Sequence, residues 1–314
     1  MSARYREELP QLGQGLFLTD GGIETFLIFH RGIDLPEFAA FTLLADERGR
    51  DELRAYYEPY LELAHRRGAG FVLESPTWRA NPRWAAKVGY DDAGLAAANR
   101  AAIELMAELR DSHGADGSGA VVISGCVGPH DDGYSPDQLL SAAAAEEYHA
   151  AQISTFAETP ADLVTAVTMT YAAEAIGIAR AAAGAGMPVV ISFTVETDGN
   201  LPSGQPLADA IEEVEADERG EVAYFMVNCA HPTHFDDVLA GGEEWQGRIR
   251  GIRANASAMS HAELDEATDL DDGDPADLAA RYGVLRERLP SLNVFGGCCG
   301  TDIRHLTAMS ETLG

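Results

Sequence analysis

The sequence predicts an α/β protein of the (β/α)8 barrel class, a TIM barrel formed as a single domain over residues 1–314. Three observations carry that expectation. Short apolar runs alternate with longer helical stretches, and they do so eight times. Most of the runs are apolar on both faces, as parallel strands buried between an interior and a layer of helices must be. No G-x-G-x-x-G turn follows the first run, where a doubly wound open sheet would carry one; the residues there are Asp20-Gly21-Gly22. A chain of 314 residues is long enough for one such barrel.

The candidate strands are 15–19 (GLFLT), 70–74 (GFVLE), 120–124 (AVVIS), 162–168 (DLVTAVT), 187–193 (MPVVISF), 222–228 (VAYFMVN), 249–255 (IRGIRAN) and 292–296 (LNVFG). The first helical stretch, 51–67, sets Leu53, Tyr57, Leu61 and Ala64 on one face, and 92–110 does the same with Leu95, Ile103, Met106 and Leu109. Ser135-Pro136 reads as an N-cap followed by proline at the first helical position, so a helix is expected over 136–157. Helices over 171–185, 207–218, 275–288 and 302–312 complete the set, the last capped by Thr301 or Asp302, and 232–245 is a weaker candidate. The acidic stretch 263–277 reads as a solvated loop and helix start.

Charge narrows the partners. With 51 acidic and 22 basic residues the formal charge is −29, which opposes nucleic acid and anionic membrane surfaces. No apolar run approaches the ~18 residues of a membrane span, and the charged N-terminus lacks the apolar core of a signal peptide, so a cytoplasmic location is expected. Small molecules are the expected partners, and the oligomeric state is left open, a homo-oligomer included. Four cysteines occur, Cys126, Cys229, Cys298 and Cys299; in a chain without an export signal they point to metal or reactivity before disulfides.

Chemistry in a barrel of this class sits at the carboxyl ends of the strands. Those ends carry Asp20-Gly21-Gly22, Glu74 with Ser75 to Arg79, Cys126 with Gly128-Pro129, Thr194 with Glu196 and Asp198, Asn228-Cys229, Asn255, and Gly296-Gly297-Cys298-Cys299-Gly300-Thr301. Alternate strands feed the same layer, so Cys229 after the sixth strand can meet Cys298 and Cys299 after the eighth. Three thiolates suit Zn2+ and leave one position open, the arrangement of a catalytic site. A redox thiol pair and inert packing are the other readings of these three residues, and Cys126 reads as a small core hydrophobe. His231 and His234 are further candidate ligands or neighbours of a site. His30, His65, His113, His149 and His261 show no partner pattern, and Trp78, Trp84 and Trp245 read as core. Asp20 and Glu74 read as substrate contacts.

Taken together these residues resemble the homocysteine S-methyltransferase family of zinc- and thiol-dependent barrels, over nearly the whole chain. The likeness rests on Asp20-Gly21-Gly22, the Glu74–Trp78 segment, Gly128-Pro129, Asn228-Cys229, Asn255 and, most specifically, the Gly-Gly-Cys-Cys-Gly-Thr run at 296–301. The resemblance implies an S-methyltransferase moving a methyl group from a sulfonium or ammonium donor to a thiol, with homocysteine giving methionine. It implies Zn2+ on Cys229, Cys298 and Cys299, the acceptor thiolate as the reacting group, and substrate contacts from Asp20, Gly21, Glu74, Thr77, Asn228 and Asn255. Glu196 is the candidate carboxylate for catalysis, with Glu174 as a substitute, because the stretch Ala166–Thr170 lacks the Glu that many members carry after the fourth strand. Glu196, Asp198 and a tryptophan face are expected to seat the donor cation. The betaine-using branch has a tyrosine where Arg79 falls. A non-catalytic zinc- or thiol-binding barrel and a carboxylate-based hydrolase or lyase are the alternatives.

Overall fold

In a computed structural model describing residues 2–113, 119–240 and 242–314, eight parallel strands close into a barrel in the order β1 to β8. The strands are β1 (Phe17–Leu18), β2 (Gly70–Glu74), β3 (Val121–Val127), β4 (Leu163–Met169), β5 (Val189–Phe193), β6 (Val222–Asn228), β7 (Ile249–Ala254) and β8 (Val294–Gly297). Every expected run forms a strand. The helices are α1 (Ile23–Thr25), α2 (Glu47–Arg67), α3 (Pro82–Lys87), α4 (Asp92–His113), α5 (Ala142–Ala157), α6 (Ala172–Gly184), α7 (Leu207–Glu215), α8 (His261–Glu266), α9 (Pro275–Arg288) and α10 (Ile303–Leu313). The weak candidate at 232–245 holds only two short 3-10 turns, Pro232–His234 and part of Glu244–Arg248, and its residue 241 lies outside the described residues.

Strand alternation sorts the side chains into two layers. One set packs outward against the helices, with Phe71, Leu73, Ile123, Val164, Ile191, Phe225, Ile252 and Phe295 in the larger cluster. The other fills the barrel interior with Leu9, Phe17, Val72, Val122, Leu163, Val190, Tyr224, Met226 and Val294. Two residues further along five of the strands the inward positions turn polar: Glu74 follows Val72, Ser124 follows Val122, Thr165 follows Leu163, Ser192 follows Val190 and Asn228 follows Met226. The interior is therefore dry and packed at the amino ends and hydrogen-bonded near the carboxyl ends.

The amino end is sealed by the chain ahead of β1. The buried Asp162 carboxylate accepts from the backbone N–H groups of Arg4, Tyr5 and Ile123 and pairs with buried Arg110 at 3.0 Å. Asn293 Nδ2 donates to the carbonyls of Gln11, Gly13 and Gly15.

One sequence expectation is corrected at the loops. The helix expected from Ser135 begins at α5, capped by Ser141. The intervening residues are tied down by acidic side chains: Asp131 accepts from the N–H groups of Asp137 and Gln138, and Asp132 from those of Tyr134 and Ser135. Such side-chain bonds compete with the helix for the same donors. The acidic stretch 263–277 is the solvated loop and helix start expected, with α9 beginning at Pro275, and its Leu264, Asp265, Ala267, Asp269, Leu270 and Asp271 line the barrel mouth.

Candidate active site

A cavity of about 330 Å³ opens at the carboxyl ends of the strands. Its wall holds Cys229, Cys298 and Cys299, whose Sγ atoms all lie within 4.8 Å of one another. Cys229 Sγ stands 2.8 Å from Cys298 Sγ and 3.7 Å from Cys299 Sγ.

The backbone is bent to bring them there. Cys229, directly after β6, has φ of 58°, the left-handed region that non-glycine residues avoid. That conformation is held from outside. Its N–H donates to the Arg253 carbonyl at 3.0 Å. Its carbonyl accepts from Asn255 Nδ2 at 2.9 Å and lies 2.8 Å from His261 Nε2. On the β8 side, Cys298 N–H donates to the Ala254 carbonyl, and its own carbonyl accepts from the Thr301 N–H and hydroxyl. Gly300 supplies the turn with φ of 79°, and a Cβ on Gly22 would stand 2.5 Å from the Cys298 carbonyl oxygen. The glycines thus allow two adjacent thiols to face one point.

Three thiols so close cannot all ionise unaided. Contacts with Cys298 and Cys299 push the Cys229 thiol well above the usual range, while hydrogen bonds from Cys229 and Cys298 hold Cys299 well below it. A soft divalent cation is the group whose charge lets all three become thiolates, so the donor set fits Zn2+. Tyr134, from the loop after β3, reaches over the cluster with Oη 3.3 Å from Cys229 Sγ and 3.6 Å from Cys299 Sγ. Its ring stacks on His261 with centroids 4.0 Å apart.

Beside the thiols lies a mixed-charge floor. Asp20 Oδ1 pairs with Arg253 Nη2 at 2.7 Å, and Asp20 Oδ2 accepts from the Tyr56 hydroxyl at 3.0 Å. Arg253 Nε donates to the Gly297 carbonyl and Nη2 to that of Gly21. Burial raises the Asp20 pKa against the pull of Arg253. Glu74 is 4% exposed, and burial pushes it up to about 7 although Arg253 opposes the shift. Its Oε2 is buried without a hydrogen-bond partner among the described residues.

Of the residues singled out from the sequence, Asp20, Gly21, Glu74 and Asn228 line the cavity with the three cysteines. Cys126 lines it as well. Thr77 and Asn255 stand behind the wall. Thr77 donates its hydroxyl to the Cys126 carbonyl, and Asn255 braces Cys229. Asn228 locks β4 by accepting the Thr168 N–H on Oδ1 and donating Nδ2 to the Thr168 hydroxyl. Thr168 sits at a β4 bulge with φ of 62°.

Glu196 is not among the lining residues. Its Oε1 is 2.9 Å from His261 Nδ1, so it orients the imidazole that supports Cys229. His261, read as a residue without partners, is tied into the site. Asp198 is bound to Asn200, and Glu174 is buried against His130 N–H and His149, so neither reaches the cavity. His231 and His234 are not among the lining residues either; His231 Nδ1 contacts the Thr233 hydroxyl and His234 Nε2 the Ala258 carbonyl. Arg253 and Tyr134 were missed from sequence. Arg253 carried a readable signal, an arginine at an inward position of an apolar strand; Tyr134 carried none.

The sequence profile of the family described as homocysteine S-methyltransferase matches residues 17–313. No curated protein matches the chain. Among solved structures, the chain resembles the homocysteine methyltransferase MmuM from Escherichia coli in three forms. The oxidized form superposes with a TM-score of 0.76 at 21% identity, covering 96% of this chain and 97% of that one. The metallated form gives 0.71 at 20%, covering 95% and 96%, and the apo form 0.65 at 18%, covering 97% and 98%. At these identities the superpositions establish the shared fold.

Proposed function

The chain belongs to the homocysteine S-methyltransferase family and is a thiol methyltransferase; we propose that it holds Zn2+ on Cys229, Cys298 and Cys299 and moves a methyl group from a cationic sulfonium or ammonium donor to homocysteine, yielding methionine. The convergence of three sulfurs from two separate strands carries this reading. When bound, the ion would supply the positive charge that keeps sulfur ionised at neutral pH, where a free thiol of pKa near ~8.5 is mostly protonated. No helix among the described residues is long and apolar enough to cross a membrane, and the cytoplasm is the compartment we propose.

The chain's own residues position the acceptor. Glu74 lines the cavity and has a carboxylate oxygen without a hydrogen-bond partner among the described residues, which makes it the candidate for the acceptor's ammonium group, whereas both oxygens of Asp20 are already engaged. Arg253 offers a guanidinium for the acceptor's carboxylate, held in place by Asp20 and the Gly21 and Gly297 carbonyls. Thr77, Asn228 and Asn255 act through the backbone, fixing Cys126, Thr168 and Cys229. With the acceptor sulfur aligned on the methyl carbon, its lone pair forms the new S–CH3 bond. The bond from methyl to the donor's charged centre breaks, its electron pair stays on the donor, and the thiol proton goes to solvent. Proximity and alignment supply the rate, because no proton moves at the reacting carbon.

The test joins metal analysis to turnover. Wild-type protein should bind one zinc per chain and convert homocysteine with at least one of S-methylmethionine, S-adenosylmethionine or betaine. Cys298→Ala should lose both zinc and turnover. Stoichiometric zinc in that variant would refute the ligand set, and no methyl transfer from any of the three donors would refute the reaction.

A further inference from the structure

The cavity contains a second buried cation that acceptor binding does not use. Arg79, five residues beyond β2, is 6% exposed and lines the wall. Its guanidinium carbon stands 4.0 Å from the Trp78 ring centre and 3.5 Å from that of Trp84. With two indoles against it, what remains for a ligand is its set of N–H donors. The protein uses these sparingly. Nη1 donates to the Asp131 carbonyl at 3.4 Å, Nη2 lies 3.7 Å from the half-exposed Asp132 carboxylate, and Nε is buried without an acceptor among the described residues. Burial lowers its pKa only to about 10, so it stays charged at neutral pH. A buried cation short of acceptors is costly unless a ligand completes it.

Its neighbours differ from those of the acceptor's floor, with Glu24 shared between them, since Glu24 also feels Asp20, Arg253 and Cys298. Arg253 feels Asp20, Glu74 and Cys298, whereas Arg79 feels Asp132, Glu24, Glu37 and Tyr134. Tyr134 in turn touches the sulfur cluster. The indole faces that meet Arg79 are occupied by its guanidinium.

Building on the methyltransferase reading, we propose that Arg79 is the anion seat for the methyl donor, and that the donor is a zwitterion whose carboxylate docks on this guanidinium while its sulfonium methyl points at the thiols. In the transfer the donor's S–CH3 bond breaks and the pair remains on its sulfur. The donor leaves as a neutral thioether that still carries the carboxylate.

The experiment compares an acid with its amide in the zinc-loaded enzyme. Dimethylsulfoniopropionate and its primary amide serve as donors to homocysteine. In a separate arm without acceptor, 3-(methylthio)propionate and its amide are titrated while tryptophan fluorescence is followed. In wild type the acid should be favoured by about tenfold or more in kcat/KM and in Kd, since a charge-assisted bidentate contact is lost in the amide. Arg79→Gln should bring both ratios to about one, and Arg79→Lys should retain part of the preference. Equal use of acid and amide by wild type, or a preference that survives in Arg79→Gln, overturns the seat. Absence of turnover with both donors counts against methyl transfer from them, while the titration still reads the anion seat. If Arg79→Gln does not fold, the wild-type ratios and Arg79→Lys decide.

Discussion

Glu74 combines two demands on a single carboxyl group. It is buried and lacks a partner on Oε2, and its pKa is pushed up to about 7 from a usual 4.5. Between those values the folded chain holds a proton at Glu74 that the unfolded chain has released. The group's contribution to stability therefore falls as pH rises through that window and is flat above it. Glu74→Gln removes a penalty of up to about 3 kcal/mol. Thermal melts should show the variant ahead of wild type at pH 8 and close to level with it at pH 4, below the unfolded-state value, while the KM for homocysteine rises about tenfold or more from loss of the ammonium contact. A melting difference that does not change with pH would overturn the assignment. At this scale the sequence was legible where residue type alone implies chemistry, as with the cysteines, Asp20 and Glu74. It was illegible where partners are distant in the chain. His261 gains its role only because Glu196, 65 positions away, and Tyr134 fold against it.

Most of the strands were readable because they are buried on both faces, which leaves an apolar run; β7, with Arg250 and Arg253, is the exception. The connections were not, because their form depends on side chains that bind backbone locally. Ser135-Pro136 has the features of a helix start, yet Asp131 and Asp132 take the N–H groups nearby and α5 begins at Ala142, after the Ser141 cap. The turn between β8 and α10 shows the opposite case, a motif whose glycines could be interpreted directly. Gly300 sits at φ of 79°, and a Cβ there would stand 2.8 Å from the Asp271 carbonyl oxygen. Gly300→Ala should cost about 1–3 kcal/mol through the left-handed conformation. It should also turn Cys299 away from its partners. Zinc titration should then show a weaker site even in the folded fraction; unchanged zinc affinity would mean that the turn does not set the sulfur geometry.

As a whole the molecule separates stability from chemistry along the barrel axis. The amino end is closed by the segment around Asp162 and Asn293 and packed by the inner apolar cluster, while the carboxyl end holds the thiols, both cavity arginines and the unpaired carboxylate. That division follows from the change of the inward positions from apolar to polar along the strands and was expected from the fold class. The excess of negative charge, by contrast, did not foretell two arginines in the cavity wall, because a net sum over the surface carries no information about single interior positions. The sealed end makes the site a cul-de-sac, in which whatever lies deeper must arrive earlier and depart later. Bisubstrate kinetics should accordingly be sequential and ordered, the mercaptan preceding the alkylating reagent. Initial-rate plots should intersect, and the demethylated donor should leave ahead of the methylated acceptor; parallel lines would indicate that the two reactants visit the dead end in turn.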